Sequence, residues 1–311
     1  MGKVAFLFAG QGSQYPGMTR DLFENIPEVQ DLYNTAEQIR PGTLSQLFTG
    51  SQEELKKTEN TQPCLFLADL AGAVALMENG IRPDAVAGFS LGEIAALTAS
   101  GILGRQEAFR LVCRRGEYMQ KSSGEVDGSM IAVMRMDKNE LADICKEYGV
   151  YPVNYNCPGQ IVVSGKKEKI ERFKEKLSQL EVRYVELAVG GAFHTPYMDG
   201  AAKSLRDELE KNGEYRLRPA MIPIYANKTA EPYPDDKEEI IGNISDQVKS
   251  SVKWEETLSN MARDGVDTFI ECGPGKALSG FVKRTVKGAG IYSVNDMESL
   301  QKVVEELGEN A

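Results

Sequence analysis

The stretch GFSLGE at residues 88–93 sets a serine between two glycines, after the apolar run AVAG and before the helix-like IAALTAS. A Gly-x-Ser-x-Gly turn from a buried strand into a helix projects the hydroxyl at the carboxyl edge of a sheet, and glycine is needed where the backbone is tightest. Ser90 is therefore a candidate nucleophile. The alternative is that it caps the helix that follows, the commoner duty of a glycine-flanked serine. In either case the helix N-terminus brings free N–H groups and partial positive charge, which suit an oxyanion.

A serine hydroxyl needs a base, and the chain contains one histidine, His194, in GGAFHTPYMDG. Thr195 and Pro196 read as the N-cap and first position of a helix. That site disfavours the imidazolium and leaves a neutral ring able to accept a proton. A lone histidine also has a plainer reading, as a surface or hydrogen-bonded core side chain. Arg115 raises a third question. In RQEAFRLVCRRGEYMQ it shares a helical stripe with Ala108, Leu111, Val112 and Met119. A core-facing guanidinium is costly without an anion: it forms a buried salt bridge, snorkels out to solvent, or clamps a substrate carboxylate bidentately.

GQGSQ at 10–14 ends the first apolar run, but Tyr15 stands where a dinucleotide-binding GxGxxG needs its last glycine, and no GxxxxGK[ST] occurs. GQGSQ then reads as a plain tight turn, or as one that brings its backbone or Gln11 to a ligand at the sheet edge that carries Ser90.

The elements that must position these residues alternate between strand-like and helical patterns, as in an α/β sheet covered by helices. VAFLFAG (4–10) reads as a strand, residues 62–80 as a buried helix, DAVAG as a strand and LGEIAALTASG as a helix; VDTFIECGPG is a further strand and turn, with a helix from Lys276. Residues 129–189 differ: SMIAVMRM, KNELADICKEYG, VYPVNYN, QIVVSG, KKEKIERFKEKLSQL and VRYVELAV give the β-α-β-β-α-β order of a ferredoxin-like unit. The chain is accordingly expected to form an α/β large subdomain from residues 1–127 and 190–311 with a small one, 128–189, inserted. TAEPYPDDKEE at 229–239 reads as a surface loop.

With 311 residues the chain can build a sizeable core. None of its apolar runs approaches the roughly 20 residues that a membrane span needs. The 36 basic and 46 acidic residues leave a formal charge of -10, which argues against nucleic acid or an anionic membrane as the main partner. Five cysteines, none spaced as CxxC, suggest neither a disulfide framework nor a zinc site and fit a reducing cytoplasm.

Taken in order, GQGSQ, GFSLGE, RRGEYMQ, NYNCPGQIVVSG, GAFH, IYANKTA and ECGPGKALSGFVKR resemble the malonyl-CoA:acyl carrier protein transacylase family from about Val4 to Asn295. The resemblance implies an α/β-hydrolase-like large subdomain with a ferredoxin-like small one, in agreement with the periodicity. It implies a ping-pong transfer of malonyl from malonyl-CoA to the phosphopantetheine thiol of acyl carrier protein, in fatty acid or polyketide synthesis, by a monomer with no bound cofactor or metal. Ser90 would carry the acyl group and His194 would shuttle the proton, oriented by a main-chain carbonyl that matches Gln247. Gln11 and the Leu91 N–H would form the oxyanion hole, and Arg115 would hold the malonyl carboxylate. Asn156 matches a polar residue near the pocket.

Phe89 is a departure, since the family usually has histidine before the nucleophile; it bears on acyl preference and on adventitious hydrolysis. Phe193, in an AFH pattern that goes with malonyl among related polyketide acyltransferases, would exclude an extra methyl. An acidic carrier protein would dock on Lys276, Lys283 and Lys287, expected on one face of the helix after ECGPG, with Arg284 beside them. Two other readings are a hydrolase of acyl thioesters, which Phe89 motivates, and a non-catalytic carrier-binding subunit, which the presence of Ser90, His194 and Arg115 opposes.

Overall fold

The computed structural model describes residues 2–211 and 213–308. Its strands are β1 (Lys3–Phe8), β2 (Ala85–Gly88), β3 (Gly128–Met134), β4 (Tyr151–Cys157), β5 (Gln160–Lys166), β6 (Tyr184–Glu186), β7 (Ile224–Tyr225), β8 (Val266–Cys272) and β9 (Gly290–Val294). They form two sheets. The larger, in the order β7-β2-β1-β8-β9, is parallel throughout. Helices cover both faces of a parallel sheet, so its strands are apolar along their length instead of alternating. KVAFLF of β1 and AVAG of β2 are of this kind, buried from Val4 to Phe8 and from Ala85 to Gly88.

The smaller sheet, β4-β5-β3-β6, is antiparallel, with helices Lys138–Tyr148 and Lys167–Gln179 in the two crossovers. These helices pack Leu141, Ile144, Ile170, Phe173 and Leu177 against Ile131, Val133, Ile161 and Val163 of the strands as a core of their own. The small sheet is tied to the segment that follows Gln247: Tyr155 N–H donates to Val252 O (2.9 Å) and Val252 N–H to Val153 O (2.7 Å).

The structure corrects three expectations about the elements. The buried helix spans Thr58–Glu78, four residues earlier than its apolar run, because the Gln120 side chain accepts from Thr58 N–H (2.9 Å) and caps the added turn from outside. The last strand of the small unit keeps only Tyr184–Glu186 of VRYVELAV, an edge paired with β3 alone. Residues 229–239 are not simply a surface loop: Tyr233 is buried, and its hydroxyl meets the carboxyl of Glu93.

The turn of GFSLGE follows β2 and leads into the helix Gly92–Ala99. A Cβ at Gly88 would lie 1.9 Å from Gly92 O, and one at Gly92 would lie 2.3 Å from Phe8 O on the neighbouring strand. Both neighbours are backbone, so neither can step aside. Gly88→Ala is expected to lower the melting temperature by several degrees, since overpacking of about 1–3 kcal/mol moves a chain of this size by roughly 2–4 °C per kcal/mol. An unchanged thermal melt would show that the turn has room.

Candidate active site

Ser90 sits at the apex of that turn with φ of 54°, a left-handed conformation uncommon for a residue with a side chain. Its Oγ lies 2.8 Å from His194 Nε2. The other ring nitrogen, His194 Nδ1, is 3.0 Å from the main-chain oxygens of both Gln247 and Ser250. A carbonyl can only accept, so Nδ1 carries the proton and Nε2 presents its lone pair to the serine. Thr195 caps the next turn as expected, accepting from Tyr197 N–H (3.2 Å). That turn, Pro196–Met198, is a 3-10 helix, and the α-helix begins at Asp199.

His194 is buried, and this burial, together with the positive charge of Arg115, lowers its pKa from 6.5 to about 4. The working base is the neutral ring, which is lost as the pH falls through the folded pKa. The kcat/KM for acyl loading should therefore stay flat through the region near 6.5 and decline only towards about pH 4. A pH–rate profile with its acid limb near 6.5 would contradict this assignment.

Arg115 lies on the helix Arg105–Glu125 and is 1% exposed, as are its stripe neighbours Ala108, Leu111, Val112 and Met119 to within a percent or so. Two neutral amides hold it: Nη1 donates to Gln62 Oε1 (2.8 Å) and Nη2 to Gln247 Oε1 (2.7 Å), while Nη2 also reaches Ser90 Oγ at 3.3 Å. Among the described residues it makes no salt bridge, and its Nε has no acceptor. Burial lowers its pKa, yet only to about 10, so it remains a cation. A buried cation held by amides and missing one acceptor is poised for an anion from outside the chain.

Gln11 lies on the turn after β1; its side-chain Nε2 donates to Thr58 Oγ1 (3.3 Å). Among the described residues, neither Gln11 N–H nor Leu91 N–H has an acceptor. The Ser90 N–H is instead taken by Asn227 Oδ1 at 2.7 Å.

The other expected residues divide. Phe89 is directed at aromatic neighbours, edge-on to Trp254 (5.3 Å between centroids) and tilted on Phe281 (6.2 Å). Phe193 is buried in the main core, close to the Gly191 turn. Asn156 donates to Gln160 Oε1 (2.9 Å) within the small sheet, not to a member of the Ser90 cluster. The single basic face is corrected: the helix runs only Ala277–Thr285, so Lys276 is its N-cap and Lys287 lies beyond its end, where Val286 is extended and Gly288 has φ of 77°. Lys276, Lys283, Arg284 and Lys287 are all exposed, though Arg284 Nη1 reaches back to Cys157 Sγ at 3.6 Å.

Sequence reasoning missed Ser250, Gln62 and Asn227. A main-chain carbonyl such as that of Ser250 leaves no mark in a sequence. The signal for Gln62 was present, a polar amide on the buried helix Thr58–Glu78, but its partner Arg115 is 53 residues away.

Residues 5–307 match the model of the acyl transferase domain family. The chain is 37% identical over 316 residues to the malonyl CoA-acyl carrier protein transacylase of Bacillus subtilis (strain 168), covering 99% of this chain and 98% of that one. Its structure superposes on the malonyl CoA-acyl carrier protein transacylase of Clostridium perfringens ATCC 13124 with a TM-score of 0.93 at 36% identity, covering 99% and 98% of the two chains. A malonyl-transacylase solved in complex with its type II PKS acyl-carrier protein superposes with a TM-score of 0.92 at 33% identity, covering 98% and 99%.

Proposed function

This chain belongs to the acyl transferase domain family, and on that premise we propose that it moves a malonyl group from coenzyme A to the phosphopantetheine thiol of an acyl carrier protein through an ester on Ser90. The observation that carries the reading is one serine oxygen facing both a neutral imidazole at 2.8 Å and, at 3.3 Å, a guanidinium that makes no salt bridge among the described residues.

His194 Nε2 takes the Ser90 proton as Oγ attacks the thioester carbonyl carbon. The oxygen that becomes anionic is received by the free N–H groups of Leu91 and Gln11, where one such donor contributes about 3 kcal/mol to the transition state. Collapse of the tetrahedral adduct breaks the carbon–sulfur bond, and the proton on Nε2 leaves with the coenzyme A thiol. The carrier thiol then gives its proton to the same nitrogen, attacks the ester and regenerates Ser90. Because Nδ1–H points at two carbonyls, the imidazolium formed in each half-reaction is stabilised by dipoles without a carboxylate. Malonyl has a single methylene between its two carbonyl carbons, so a cation adjacent to the serine is within reach of its carboxylate. No cofactor is needed for this exchange of one acyl bond for another.

The product, a malonyl carrier thioester, is what carbon-chain elongation in fatty acid or polyketide synthesis consumes. Among the described residues no helix is long and apolar enough to cross a membrane, and we assign the enzyme to the cytoplasm as a monomer. Phe193 is read as limiting the acyl pocket to malonyl. Phe89, buttressed by Trp254 and Phe281, puts an apolar ring where the family resemblance leads one to expect an imidazole.

Intact-mass measurement after incubation with malonyl-CoA, methylmalonyl-CoA or acetyl-CoA, followed by holo carrier protein, tests the proposal. A malonyl adduct that forms and then passes to the carrier is expected. An adduct discharged only by water would turn the reading to a hydrolase. For docking, Lys283→Glu is expected to raise the KM for carrier protein several-fold while leaving loading from malonyl-CoA unaltered; an unchanged KM would remove this residue from the docking surface.

A further inference from the structure

The left-handed Ser90 is held by a clamp outside the reacting groups. The Asn227 side chain bridges the turn from both ends: its Nδ2 donates to Gly88 O at 2.6 Å, and its Oδ1 accepts from Ser90 N–H at 2.7 Å. Asn227 is wholly buried, and its own N–H donates to Glu93 Oε2 at 2.8 Å. Glu93, also buried, lies in the first turn of the helix Gly92–Ala99 that follows Ser90, and its other oxygen meets the Tyr233 hydroxyl. Gln247 closes the ring, with Nε2 donating to Ser90 O at 2.7 Å. None of these bonds reaches the hydroxyl.

We propose that Asn227, locked by Glu93 and Tyr233, is a positioning residue for acyl transfer, which holds Ser90 Oγ on His194 Nε2 and withdraws the Ser90 N–H so that the oxyanion is met by the next N–H in the chain. The proposal rests on the acyl-serine reading given above. Two physical facts support it. A non-glycine residue at positive φ persists only where its surroundings hold it, and this turn has a hydrogen bond on each side of its strained residue. The amide that spans Gly88 and Ser90 supplies one donor and one acceptor at fixed separation, a pairing that a carboxylate or hydroxyl in the same place does not reproduce.

The test is single-turnover malonylation of Ser90, followed by intact mass, with folding checked by circular dichroism and thermal melting. For Asn227→Ala the acylation rate of the folded protein should fall about 100-fold, the scale of a misplacement near 1 Å. The malonyl-CoA concentration at half-maximal rate should change less than about threefold, because Asn227 is wholly buried and its bonds are to the protein's own groups. Asn227→Asp keeps the size and one acceptor but loses the donor to Gly88 O, and should lose at least about tenfold; it carries the test if the alanine variant does not fold. Glu93→Ala should fall towards Asn227→Ala, and Glu93→Gln, which still accepts from Asn227 N–H, should recover most of that loss. A folded Asn227 variant that acylates at the wild-type rate, or whose defect lies in the half-maximal concentration alone, overturns the clamp. Glu93→Gln as slow as Glu93→Ala overturns the part given to Glu93. Wild-type protein that takes up no malonyl would instead sink the acyl-transfer reading itself, a result separable from either of these.

Discussion

Ser90→Ala protein is expected to leave a malonyl-CoA incubation with its mass unchanged, and its kcat/KM for carrier malonylation should fall by at least about 10^4, as when a serine nucleophile is removed from a serine–histidine pair. The size follows from the geometry. On the proposed reading Ser90 Oγ takes up the acyl group, and among the described residues no other side chain is hydrogen-bonded to His194 Nε2 that could substitute for it. Alanine should keep the fold, because the clamp on the turn uses the main chain of Ser90 and not its hydroxyl. A malonyl adduct on the alanine variant, located by peptide mapping, would show that the acyl group sits elsewhere.

The second large effect is selective. Arg115→Ala should lower kcat/KM for malonyl-CoA by about 10^2 to 10^3, since losing one partner of a buried, hydrogen-bonded charge pair costs about 2–5 kcal/mol. Loading from acetyl-CoA, which has no carboxylate to pair, should change little in comparison. The guanidinium also helps hold down the pKa of His194, so the acid limb of the acetyl pH profile should move upward from about 4 once it is gone. Equal loss with both donors would refute the carboxylate clamp. Arg115→Lys is expected to recover part of the malonyl activity, because a point charge restores the attraction without the fork that two amides now orient.

Much of the scaffold was legible because it is local. The apolar runs KVAFLF, AVAG and VDTFIEC read as buried strands, and the β-α-β-β-α-β order of residues 128–189 reports a period that each element carries by itself. The edges were less legible because outside groups decide them. Gln120 starts one helix a turn early, and VRYVELAV pairs only where β3 offers a partner. Within the basic segment after ECGPG, the spacing of Lys276, Lys283 and Lys287 imitates a helix face, but the backbone is extended at Val286 and the face ends there.

What the amino-acid sequence by itself determined was the inventory: one strand-turn-helix serine flanked by glycines, a sole imidazole, and a guanidinium on an apolar stripe. Each is unusual for its own neighbourhood, which is why it could be found. Only the tertiary structure decided that the three share one oxygen, that the imidazole is held by two carbonyls, and that two amides, with no salt bridge among the described residues, brace the arginine. Those relations join segments 25 to 132 residues apart along the chain. A hydrogen bond is a property of distance and direction between groups, and a sequence records neither until the sheets have packed.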